Sequence, residues 1–355
     1  MGGLIRLARP QQWVKNGFVV LGPWFGMAEG TLSLTRDDVI VRTVLAVVAF
    51  SLAASASYVV NDILDAEADR SHPRKSRRPI ASGLISKRTA WAYAAVLAAG
   101  SLGATLLVPR PAGGWLLAAV VFYLANVAAY SSVFKHRVIA DVIALALGFV
   151  VRVVAGCVAV EIWPSTWLMN VTLFLAMFLA FGKRLGERRT LAGPGEAEAA
   201  RSVQRRYSDE ILRIMVGVAG VATLLTYAFY VQSKGSAYEI PGGLGGGLGL
   251  ETGVDGEPVG FNLLWLSVLP ATYALLRCIV LVERGEYDDP TELSYRDLPF
   301  MVAAGVFALL VGTVTLIAGK SLEAPMAASI GEIVEHREVG EPTNASVLES
   351  IGESP

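Results

Sequence analysis

The chain has 355 residues, 54% of them hydrophobic and only 17% charged, where a soluble domain carries roughly 25% charged residues. With a mean hydropathy of +0.51 and its apolar residues gathered into runs of membrane-spanning length, it is excluded from the ordinary soluble enzymes. Net charge is -1, from 30 Lys and Arg against 31 Asp and Glu, so the placement of charge informs more than its sum.

Residues 1–13 carry Arg6, Arg9 and Pro10 without a long apolar run, and no cleavable signal peptide is expected. Apolar segments follow at 16–32, 39–60, 89–108, 114–133, 138–160, 165–182, 211–231, 261–282 and 299–319, nine predicted spans in all. The first is interrupted by Gly17, Gly22, Pro23 and Gly26, which membrane helices tolerate when neighbours satisfy the backbone. With a cytoplasmic N-terminus, Lys and Arg divide about 21 to 6 in favour of the inner connections, and the positive-inside rule sets that orientation. The two long inner loops, near 61–88 and 183–210, are polar and basic. The long outer segment 232–260 is Gly-rich, and chemistry is therefore expected on the cytoplasmic side. Residues 1–319 read as one transmembrane domain in a multi-pass plasma-membrane protein, and the acidic 320–355 as a disordered outer tail. Its Asn344-Ala345-Ser346 sequon is read as chance. Cys157 and Cys278 lie singly in apolar stretches and read as core residues, not as a disulfide or metal pair.

The second span runs into Tyr58-Val59-Val60-Asn61-Asp62-Ile63-Leu64-Asp65-Ala66-Glu67-Ala68-Asp69-Arg70. On a helix, Asp62, Asp65 and Asp69 fall within an arc of roughly 60°, since offsets of three and seven return to one face. The macrodipole disfavours acids at a helix C-terminus. Mg2+, by contrast, uses one or two carboxylates plus phosphate oxygens. The basic run His72-Pro73-Arg74-Lys75-Ser76-Arg77-Arg78-Pro79 sits beside these acids and suits a ligand with several phosphates, or else simply fixes topology. Further cations stand at inner span ends: Lys15, Lys135, Lys183 and Arg184. Arg152 is placed about ten residues into the fifth span, where an unpaired guanidinium is costly, and a functional site is the default expectation. Asp141 is its nearest candidate partner in sequence, about three turns away on the same face.

The pattern Asn61-Asp62-x-x-Asp65-x-x-x-Asp69 followed by Arg78-Pro79-Ile80 resembles the first aspartate-rich motif of the UbiA superfamily of intramembrane prenyltransferases. More narrowly, Arg9-Pro10-x-Gln12-Trp13-Val14-Lys15-Asn16, Glu67-Ala68-Asp69-Arg70-x-His72-Pro73-x-Lys75, Phe134-Lys135-His136, Arg152-x-x-Ala155-Gly156 and Gly182-Lys183-Arg184 look like the branch of phosphoribosyltransferases that act on decaprenyl phosphate. The resemblance covers about residues 4–319, apart from the Gly-rich loop. It implies an all-α integral membrane fold of nine transmembrane helices around a cavity open to the cytoplasm. It also implies transfer of a 5-phosphoribosyl group from phosphoribosyl diphosphate to a polyprenyl phosphate for cell-wall arabinan precursors. By the residue matches, Lys15, Tyr58, Lys75, Lys135 and Arg152 would hold the donor, and Asn61 and Asp65 would hold Mg2+. Asp62 and Asp69 would support the metal or the ribose. Arg78 and Asp141 join the expected substrate-binding set, and Lys183 with Arg184 are assigned to the acceptor's phosphate. The acceptor is already anionic, so no general base is needed, and His72 and His136 are read as phosphate donors or loop residues.

Expected partners are the two substrates and the bilayer, with no nucleic acid; oligomeric state, a homo-oligomer included, is not fixed. An aromatic prenyltransferase of the same fold would carry a second aspartate motif near 181–189, where this chain has Lys183, Arg184 and one acid, Glu187. A transporter of anionic lipid or metabolite fits composition, but lacks paired broken helices at the midplane.

Overall fold

A computed structural model describes residues 2–70, 75–190, 207–234, 238–240, 261–286 and 296–317. The side chains of Lys75, His136 and 187–190 fall outside the description, as do His72, most of the 183–210 and 232–260 loops, and the acidic tail with its sequon.

The architecture is helical. A short α1 (Gly2–Ala8) leads through a 3-10 segment, Pro10–Asn16, into α2 (Gly17–Ala28). The long α3 (Arg36–Leu64) is followed by the single turn α4 (Ala66–Arg70). Then come α5 (Lys87–Leu106), α6 (Ala112–Ser132), α7 (Ala140–Ala159), α8 (Thr166–Thr190) and α9 (Asp209–Ser233). Last are α10 (Val268–Glu283) and α11 (Leu298–Ile317). Two-residue strands β1 (Glu239–Ile240) and β2 (Phe261–Asn262) pair antiparallel, Glu239 opposite Asn262, a detail with no sequence signal.

Helix starts follow capping chemistry. Thr35 accepts from the Asp38 N–H at 3.2 Å, Ser86 from Thr89 at 3.1 Å and Ser208 from Ile211 at 3.1 Å. Asp297 accepts from the Phe300 N–H at 2.9 Å, and its hydrogen bonds with Arg277 hold its carboxyl below the usual range.

Eight described helical segments are long and apolar enough to cross a bilayer, and the protein is a multi-pass membrane protein. The predicted first span, 16–32, differs. It is not one long helix, because α2 has 12 residues, a rise of about 18 Å, against a core of about 30 Å. The 3-10 segment before it lies against α3, antiparallel to it. Arg9 bonds Asp62, Trp13 Nε1 donates to Ser55 Oγ at 3.0 Å, and Asn16 Nδ2 donates to Ser51 Oγ at 2.8 Å. The N-terminal segment thus descends beside α3 on successive polar tethers before α2 begins.

Two main cores share α7. One gathers Val19, Phe50, Ala53, Leu116, Val120 and Ala155, the other Val142, Phe178, Phe181, Leu212 and Leu281. A smaller cluster, Leu7, Val59, Ile63, Ile80 and Ala90, locks α1 and the α4–α5 loop onto α3. Cys157 and Cys278 are free and buried, as expected of core residues. Outward faces carry exposed Val44, Val96, Leu106, Leu225 and Leu309, the composition required against lipid.

Candidate functional site

The 29 residues of α3 rise about 43 Å, longer than the hydrocarbon core, so the last turns with Asn61 and Asp62 reach polar depth. The helix ends at Leu64, and Asp65 is its C-cap, donating its N–H to the Asn61 carbonyl at 2.9 Å. The break alters the expected acidic face. Asp62 is buried and accepts from Arg9 Nη2 at 2.6 Å and Arg78 Nη1 at 3.1 Å. Arg78 Nη1 also reaches Asp69 Oδ2 at 2.7 Å. Two of the three carboxylates are therefore neutralised by guanidiniums, each charge-assisted contact being worth roughly 1.5–3 kcal/mol. Asp65 stands apart, half-buried and 3.7 Å from Lys135 Nζ. Among the described residues no three acids, histidines or cysteines gather as a metal cluster. The expected acidic face is thus divided: Asp62 and Asp69 share Arg78, while Asp65 lies beside Lys135.

Asn61 Oδ1 accepts from Ser131 Oγ at 2.8 Å, tying α3 to α6. The Asn61 and Asp65 side chains offer an amide oxygen and one accessible carboxylate. That donor set suits a Mg2+ that completes its shell with phosphate oxygens and water.

Arg152 is 4% exposed and makes three donations: Nε to Asn16 Oδ1 at 2.8 Å, Nη1 to the Gly148 carbonyl at 2.6 Å, and Nη2 to the Tyr123 hydroxyl at 3.1 Å. The rings of Tyr123, Phe149 and Phe50 surround its guanidinium at 4.6, 5.7 and 5.8 Å. Among the described residues it has no carboxylate partner. Asp141, the partner suggested by sequence, is engaged elsewhere. It is fully buried, its Oδ2 lies 3.3 Å from Arg184 Nε and Nη2, and it accepts from Tyr207 at 3.0 Å. The Tyr207 hydroxyl in turn accepts from the Ile139 N–H, where the backbone is left-handed at φ 69°. Burial above all pushes the Tyr207 phenol up to about 12, with the Asp141 charge contributing.

The expected donor-binding residues do not all converge. Arg152 reaches Asn16, which reaches Ser51, and Ser51 lies eleven residues before Asp62 on α3, about 16 Å deeper in the bundle. Tyr58 lies between these levels, under the Arg9 guanidinium at 5.3 Å and within electrostatic reach of Arg152. Lys15 and Lys183 are half-buried, and Arg184 is buried against Asp141.

Sequence reasoning passed over Arg9, Asn16, Tyr123 and Tyr207 as site residues. A tyrosine inside a span needs a partner for its hydroxyl, which was a usable signal for Tyr123. Tyr207 gave none.

Two cavities adjoin the acidic end of α3. A cleft of about 350 Å3 between the N-terminal segment and the α4–α5 loop is lined by Arg6, Arg9, Gln11, Gln12, Asp62, Arg77, Arg78 and Pro79. A groove of about 550 Å3 between α3, α5 and α6 is walled by Val60, Leu64, Trp91, Ala94, Ala98, Leu124 and Val127, and ends at Asn61, Ser131 and Ser132.

Comparison with known proteins gives a consistent result. The model of the UbiA prenyltransferase family matches residues 18–250. A decaprenyl-phosphate phosphoribosyltransferase of Mycobacterium tuberculosis is 32% identical over 315 residues, 88% of this chain and 94% of the relative. One of Corynebacterium glutamicum is 32% identical over 87% of this chain and 86% of its own. In fold, the chain is similar to a UbiA homolog from Archaeoglobus fulgidus bound to GPP and Mg2+. That structure aligns at a TM-score of 0.58 and 16% identity, over 90% of this chain and 99% of the other.

Proposed function

Because the chain belongs to the UbiA prenyltransferase family, we propose that it transfers a 5-phosphoribosyl group from phosphoribosyl diphosphate to a polyprenyl phosphate, releasing diphosphate. The observation that carries this reading is the ionic character of the α3 end. One accessible carboxylate, Asp65, sits beside Lys135 amid a surplus of arginines, an arrangement suited to a donor rich in phosphate. The relatives named as phosphoribosyltransferases point the same way.

Departure of diphosphate from the anomeric carbon builds negative charge on the leaving oxygen and positive charge on the ribose ring. Lys135, beside Asp65 at the end of α3, holds the donor's diphosphate and offsets the first of these charges. Lys15 and Tyr58 act from deeper along α3, and the assignment of Lys75 falls on a side chain outside the description. Asn61 and Asp65 would hold Mg2+, which when bound supplies further stabilisation of the leaving group. Asp62 and Asp69 keep Arg9 and Arg78 in place, and Arg152 supplies positive potential from deeper in the bundle. The acceptor phosphate is anionic near neutral pH and attacks without a base. Its isoprenoid chain enters from the bilayer along the α3/α5/α6 groove, whose polar end meets Asn61. Of the two cations assigned to its head group, Arg184 is committed to Asp141, and the assignment at α8 rests on Lys183. Positive-inside asymmetry turns this end of the bundle to the cytoplasm.

Membranes containing the protein should incorporate label from phosphoribosyl diphosphate into lipid only when polyprenyl phosphate is added. Incorporation from a labelled prenyl diphosphate into an aromatic acceptor instead would establish the other chemistry of this fold.

A further inference from the structure

We infer that the arginine-lined cleft between the N-terminal segment and the α4–α5 loop is a phosphomonoester site, and that its occupant is the 5-phosphate of the donor. The second half of this inference rests on the proposed reaction. Four guanidiniums face the cleft, those of Arg6, Arg9, Arg77 and Arg78, and Asp62 is its one lining carboxylate. Arg9 and Arg78 are partly spent on Asp62, and Arg78 also on Asp69. Arg6 and Arg77 are exposed and have no acidic partner among the described residues. Four positive charges against the two carboxylates leave a surplus of two. A phosphomonoester carries about -1.5 to -2 at neutral pH, which matches that surplus.

Position agrees with charge. Asp62 lines the cleft, and Asp65, three residues on, is the carboxylate assigned to the diphosphate end. A donor with phosphate at both ends of one sugar can therefore be held by this cleft at one end and by Asn61, Asp65 and Lys135 at the other. The Arg9 and Arg78 guanidiniums are already oriented by Asp62 and Asp69, so a phosphate meets donors whose geometry is set in advance. Gln11 and Gln12 add neutral donors on the rim. A head group of an anionic lipid presents the same chemistry at this depth, and the test separates the two sources.

The test uses the double variant Arg6→Gln with Arg77→Gln, which leaves the Asp62 and Asp69 contacts in place. The full-length protein is placed in phosphatidylcholine nanodiscs with and without phosphatidic acid. The probes are ribose 5-phosphate and inorganic diphosphate, followed by direct binding titration and as inhibitors of transfer. Ribose 5-phosphate binding should weaken at least about tenfold in the variant, as expected from losing charge-assisted contacts. Diphosphate binding should hold, and neither should depend on phosphatidic acid. Equal weakening of both probes, or no change in either, overturns the assignment. An arginine effect confined to phosphatidic acid discs assigns the cleft to lipid head groups and overturns the donor role. The titration needs no turnover, so absence of phosphoribosyl transfer in the wild type would be seen as a failure of the reaction alone.

Discussion

Arg152 occupies the interior of the bundle with an amide, a hydroxyl, a backbone carbonyl and three aromatic rings for company, and no described carboxylate. A lone buried guanidinium in a span is expensive, so its retention points to function rather than stability. Arg152→Met keeps much of the stem and loses the charge. The lost hydrogen bonds and the relieved desolvation should roughly cancel, leaving unfolding free energy within about 1 kcal/mol of wild type. Transfer should fall about a hundredfold, since the bundle interior beneath the site loses its positive potential. A thermal unfolding scan beside the turnover assay checks both. Loss of stability with turnover intact would make Arg152 a structural residue. The cost of burying this charge was legible in the sequence. Its partner was not: Asp141 shares a face with it on α7, but Arg184 and Tyr207 arrive from elsewhere in the chain and claim that carboxylate.

At the scale of elements, Gly156 fixes the approach of α2 to α7. A Cβ there would lie 1.8 Å from the Val19 carbonyl oxygen and 2.8 Å from its carbon, so the backbone itself would have to move. Gly156→Ala should cost about 1–3 kcal/mol or more, and it should lower transfer in parallel, because Asn16, the residue before α2, orients Arg152. Gly217 on α9 has open space, and Gly217→Ala should be neutral or slightly stabilising through helix propensity. Equal behaviour of the two alanine variants in chemical unfolding would contradict the close approach. The long spans were readable from apolar runs and caps because those signals are local. The 3-10 descent of Pro10–Asn16 along α3 was not. Its tethers join residues 35 to 53 positions apart, and no local period marks such pairings.

Across the whole molecule, charge is arranged by end. Far from the site, Arg42 pairs with Glu161 at 2.6 Å, and Lys234 pairs with Glu29. At the α3 end, arginines outnumber the acids that hold them. The asymmetry was visible in the sequence as an excess of Lys and Arg in alternate connections between spans. The division of labour within the acidic motif was hidden, because it depends on where α3 stops and on which carboxylates Arg9 and Arg78 reach. That division is the central claim: Asp65 serves the donor's diphosphate and its metal, while Asp62 and Asp69 hold arginines. The most direct test is the initial rate of phosphoribosyl transfer to polyprenyl phosphate, measured against free Mg2+ for the wild type and Asp65→Asn. The wild-type rate should rise from near zero to saturation, and the variant should stay at least about a hundredfold lower at every concentration, consistent with loss of the carboxylate assigned to the metal. Wild-type turnover that persists in EDTA, or an Asp65→Asn curve that overlays the wild type, would contradict it.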